Sequence, residues 1–103
     1  MDPHTWNERR RHAFEERIIE AIQKLQELKK GEIEAQQRVL WQLRGHAQTY
    51  FSHGDALTVA ERSEILGLLG SLERIVHERC NWKAAPVTIS ETINYVARAG
   101  TVR

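Results

Sequence analysis

The sequence predicts an all-α fold, a small antiparallel helical bundle of three main helices plus a short C-terminal helix. Three observations carry that expectation. Apolar residues recur at alternating spacings of three and four along most of the chain, the period of a helix face rather than of a strand. The patterns are separated by Gly31, Gly54 and the stretch around Pro86, residues that end or interrupt helices. Helix-start signals stand where the patterns begin: Asp2-Pro3, Thr58 with Glu61, and Thr88 with Glu91. In the last two, a capping box, the hydroxyl accepts from the N3 amide while the glutamate accepts from the N-cap amide.

The first helix is expected over residues 3–30. Asp2 serves as N-cap and Pro3 as the first helical residue, where the missing N–H costs nothing. Phe14, Ile18, Ala21, Leu25 and Leu28 form its inner stripe, widened by Ile19 and Ile22. Lys29 and Lys30 then meet the negative end of the helix dipole before Gly31.

The second helix, residues 32–53, carries Ile33, Leu40, Leu43, Ala47, Tyr50 and Phe51, flanked by Val39 and Trp41. Gly45 interrupts it at a cost of about 1 kcal/mol relative to alanine. Ser52 to Asp55 reads as a turn.

The third helix, residues 59–80, is the centre of the expected core, with Ile65, Leu66, Leu68, Leu69, Leu72, Ile75 and Val76. Ser63, Gly67, Gly70 and Ser71 make a second stripe, read either as a close helix approach or as a kink. Residues 1–81 are thus expected to form a three-helix core. Residues 82–103 add a linker and a short helical arm over 89–99, within one domain. Helices of about three turns are marginal alone, so Ile89, Ile93 and Val96 must be covered by the bundle, a dimer mate or a partner.

Composition narrows the function classes. A chain of 103 residues with 41% hydrophobic and 28% charged residues is an ordinary single globular domain. Fifteen Lys+Arg against fourteen Asp+Glu give a net charge of +1, so the surface as a whole does not attract polyanions. Cys80 is alone and has no disulfide mate, which favours a reducing compartment and a cytoplasmic location. The apolar runs are only a few residues long, so no membrane span and no secretory h-region are expected.

Motifs for chemistry are sparse. His77 and Cys80 have ligand spacing, but a structural zinc site needs four ligands and no second pair supplies the others. No phosphate loop, dinucleotide fingerprint, nucleophile elbow or zinc-protease motif is present, so neither catalysis nor a cofactor or metal is expected. The run Arg9-Arg10-Arg11 suggests phosphate binding. Consecutive residues fan around a helix, however, and Glu8, Glu15 and Glu16 partly cancel its field.

The expectation is a small non-catalytic regulatory or adaptor protein that binds another protein, as a homodimer. Its contacts would come from Trp6, Arg9, Arg10, Arg11, Trp82, Ile89, Ile93 and Val96. The overhang and doubled stripe of the first helix motivate self-association, because closed dimers are the commonest way to bury such a surface. The alternative is a nucleic-acid-binding helical module that uses Arg9, Arg10, Arg11, Arg17 and Lys24.

Overall fold

In a computed structural model of the chain, the described residues are 3–51, 57–99 and 101–102, with side chains described for 8–51 and 57–99. The protein is all-α, with helices α1 (Pro3–Glu27), α2 (Ile33–Phe51), α3 (Val59–Arg79) and α4 (Ala85–Ala97). A two-residue parallel bridge joins β1 (Leu57–Thr58) to β2 (Thr101–Val102), pairing Leu57 with Thr101 and Thr58 with Val102. The crossover that a parallel pair requires is supplied by α3 and α4 together. The Asp2 cap, the Gly54 stop and the turn over 52–55 lie outside the described residues.

One core gathers the inner stripes of all four helices. Phe14, Ile18, Ala21 and Leu25 come from α1; Leu40, Leu43, Ala47 and Phe51 from α2; Ile65, Leu69, Leu72 and Val76 from α3. Phe14 sits in an aromatic corner, edge-on to Phe51 at 5.1 Å and to Tyr50 at 6.2 Å. Such edge-to-face pairs add about 0.5–1.5 kcal/mol each beyond area burial. Helix α1 packs on α2 and α3, and α4 packs on α2 and α3. Ala85, Ile89 and Val96 of α4 are fully buried in the same core, so the apolar face of the C-terminal segment is covered by its own chain.

Several boundaries differ from the periodicity-based expectation. Helix α1 ends at Glu27, not at residue 30, and Lys29 and Lys30 lie beyond it. Its last carbonyls are satisfied from α3: Arg79 donates to the carbonyls of Gln26 (2.9 Å), Leu25 (3.3 Å) and Leu28 (3.5 Å). The helix C-terminus is thus capped by a side chain more than fifty positions away.

The Thr58–Glu61 box is present, with Thr58 N–H donating to Glu61 Oε1 (2.8 Å) and Glu61 N–H to Thr58 Oγ1 (3.1 Å). The Thr88–Glu91 box is not. Helix α4 starts at Ala85, four residues before the expected start at 89, and Pro86 is tolerated in its first turn. Thr88 is buried inside the helix, its hydroxyl donating to the Ala84 carbonyl, and Glu91 pairs with Arg44.

At the start of α2, Ile33 is 40% exposed and Gln36 takes the inward place. The buried Gln36 amide donates from Nε2 to the carbonyls of Lys30 (3.1 Å) and Lys29 (3.4 Å), and its Oε1 accepts from Asn81 N–H (3.2 Å). A single side chain therefore clasps the α1–α2 turn to the α3–α4 connection. Gly67 and Gly70 lie exposed within the unbroken α3, and a Cβ on either would meet no neighbour. The small-residue stripe is neither a kink nor a close approach within this chain.

Two outcomes follow for stability. Gln36→Leu removes three part-buried hydrogen bonds to the backbone and should cost about 1–3 kcal/mol in urea unfolding, since each such bond contributes about 0.5–1.5 kcal/mol net and the Lys29 carbonyl keeps its bond from Glu32 N–H. Gly67→Ala and Gly70→Ala should each raise stability by about 0.5–1 kcal/mol, because alanine gains helix propensity without a clash. Thermal melts of the single and double variants check this.

Candidate interaction surface

Among the described residues, the most exposed aromatic feature is a tryptophan pair. Trp41 follows the buried Leu40 by one position, which rotates it by about 100° off the core-facing stripe of α2. It remains 47% exposed. Trp82, half-buried in the connection before α4, packs edge-on against it with ring centroids 5.2 Å apart. The Trp82 carbonyl accepts from Ala85 N–H, which fixes the ring's backbone at the start of α4. One turn further along α2, Arg44 reaches across to Glu91 of α4 at 2.9 Å. Val87, one turn before Glu91, is 60% exposed. Ile33, two turns before Trp41, also stays exposed on α2.

The residues singled out from sequence are scattered rather than gathered. The Trp6 side chain lies outside the described residues. The three arginines separate as their spacing implies. Arg9 is exposed, whereas Arg10 is half-buried and donates to the Tyr50 carbonyl at 3.3 Å. Arg11 is drawn into an acidic pocket, with Glu15 at 3.0 Å, Glu61 at 3.1 Å and Glu64 at 2.7 Å. Glu61 thereby serves both the α3 capping box and the α1–α3 ion pairs. Ile89 and Val96 are fully buried and Ile93 packs half-buried on the core, which leaves none of them as an open docking face. Of those whose side chains are described, Trp82 sits beside an exposed aromatic, Trp41. Trp41 was not among the expected contact residues, although its place beside the α2 stripe was a usable signal.

A second feature is a shallow polar groove between α1 and α2. Arg17, Glu20 and Lys24 rim it from α1, Gln42 and His46 from α2, over a floor of Ala21, Val39 and Leu43. It continues past Lys24 to Arg38 and Glu27. Arg17 pairs loosely with Glu20 at 3.5 Å, both side chains being well exposed. His46 stacks on Tyr50 with ring centroids 5.8 Å apart. Partial burial holds the His46 imidazole below its usual pKa, Arg17 adds to that, and Glu20 opposes it.

At the end of α3, burial pushes the Cys80 thiol up, and the neighbouring Arg79 only partly offsets this. Cys80 is therefore a poor thiolate nucleophile at neutral pH. Among the described residues, no group of three His, Cys, Asp or Glu side chains is placed to hold a metal ion. No helix is long and apolar enough to cross a membrane. Compared with family models, curated proteins and solved structures, the chain has no significant match.

The depressed His46 pKa has a definite sign for stability. The unfolded chain binds the proton more readily than the folded one, so this contribution is complete above the ordinary value of 6.5 and is lost as pH falls through that range. The melting temperature should drop between pH 7 and pH 5, and His46→Gln should flatten the drop over this window. Differential scanning calorimetry across that range is the check.

Proposed function

We propose that this chain is a small non-catalytic regulatory or adaptor protein that binds another protein and works as a homodimer in the cytoplasm. The observation that carries the reading is the Trp41–Trp82 pair. A tryptophan left half in water on a rigid helix, buttressed by a second tryptophan, presents a large apolar area that loses little side-chain entropy on contact. Tryptophan and arginine dominate interface hot spots, and Arg44 stands one turn from Trp41. The non-catalytic reading is supported by where the buried polar groups are spent. Gln36, Thr88 and Thr92 each donate to backbone carbonyls, and Cys80 is held as a thiol.

The scaffold for this surface is, in the same reading, an antiparallel four-helix bundle. Side chains tie opposite ends of consecutive helices. Arg10 joins the start of α1 to the end of α2, and Arg62 joins the start of α3 to Ala99 beyond α4 at 2.7 Å. Gln36 near the start of α2 joins Asn81 just after α3. Helices α1 and α3 then run side by side in one direction, consistent with Arg11 linking their starts and Arg79 their ends.

Sedimentation equilibrium tests the reading. The wild-type chain should exceed its 12.0 kDa monomer mass at high micromolar concentration. Trp41→Ala should shift it toward monomer and abolish capture of the native partner, while its melting temperature changes little. A wild-type monomer, or a Trp41→Ala variant that keeps both dimer and partner, overturns it.

A further inference from the structure

The tryptophan face leaves the opposite flank, the α1–α2 groove, without a role. Arg17 and Lys24 stand along its α1 edge seven residues apart, and Arg10, seven residues earlier, lies on the same side of the helix with its guanidinium engaged at the Tyr50 carbonyl. Seven residues make nearly two turns, so the three fall on one side of the helix over about 21 Å. Arg38 adds a cation from α2, with Gln42 and His46 as further hydrogen-bonding groups. Lys24 and Arg38 make no ion pair among the described residues. Glu20 and Glu27 are the opposing charges, and Glu20 is engaged with Arg17.

We propose that this strip docks the phosphodiester backbone of a nucleic acid. The partition of the arginine run is the first argument. Arg11 is spent on Glu15, Glu61 and Glu64, so that side of α1 is acidic, whereas Arg10 lines up with Arg17 and Lys24 on the other. A chain of net charge +1 thus carries three cations, Arg17, Lys24 and Arg38, against two carboxylates, Glu20 and Glu27, along one groove.

The second argument is the floor. Ala21 and Leu43 are buried, Leu28, Ala35 and Val39 are half-buried, and the exposed large apolar residues (Ile19, Ile33, Trp41, Val59 and Val87) do not line it. A protein partner needs an apolar centre to its interface. A contact made by charge and hydrogen bonds alone is that of backbone recognition, which positions without reading sequence.

Fluorescence anisotropy with a short labelled DNA duplex and a single-stranded RNA of equal length, from about 50 mM salt upward, tests the site. Binding to at least one should be micromolar and lose affinity with salt at a log–log slope of about −3, close to one counterion per phosphate contacted. Arg17→Ala/Lys24→Ala/Arg38→Ala should weaken binding at least about tenfold and flatten the slope. Glu20→Gln should tighten it, a gain that misfolding cannot mimic. An Arg74→Ala/Lys83→Ala control, on other elements, should leave it unchanged.

No binding to either probe, equal loss in the control, or displacement by polyglutamate as effective as by unlabelled duplex overturns the proposal. The last outcome would assign the strip to an acidic protein. None of these results depends on Trp41, so this surface and the tryptophan face stand or fall separately.

Discussion

The arrangement of this molecule depends on one buried amide. Gln36 is enclosed where the α1–α2 turn meets the α3–α4 connection, and it satisfies backbone groups of both. An apolar residue there would pack but would give up all three of these bonds and with them the link between the two segments. Because the amide reads a donor on one side and acceptors on the other, it fixes the level at which the two helical pairs meet. Trp82 follows Asn81 directly, so the same clasp sets where the tryptophan pair can form.

The features that were legible from sequence are the local ones. The i, i+3, i+4 stripes of α1 and α3 identify Phe14, Ile18, Leu25, Ile65, Leu69, Leu72 and Val76, all of them buried. The Thr58–Glu61 box involves groups three residues apart and needs nothing else to form. What was not legible depends on groups distant in the chain. The carbonyls at the end of α1 are bound by Arg79, the buried Gln36 amide meets Asn81, and the fates of Arg10 and Arg11 follow from what α2 and α3 bring near them. Thr88–Glu91 shows the converse error. The spacing of a capping box is present, but Ala84 and Pro86 start the helix earlier, and burial claims the threonine for the interior.

Charge is organised more finely than the composition suggests. A net charge near zero conceals two flanks of α1 with opposite character, one where Arg11 is surrounded by carboxylates and one where Arg17 and Lys24 line a groove. The division follows from helical geometry alone, since adjacent residues point about 100° apart and residues seven apart nearly coincide. A cluster that looks basic in one dimension is therefore divided in three.

The end of α1 is held twice, by groups at very different distances along the chain. Lys29 N–H donates to the Glu32 carboxylate and the Lys29 carbonyl accepts from Glu32 N–H, a reciprocal pair that needs only the α1–α2 segment. Arg79 then binds the carbonyls of Leu25, Gln26 and Leu28, which requires α3 to be in place. The turn at Gly31 is thus written into the first hairpin, and the docking of α3 locks a shape that the hairpin can already draw.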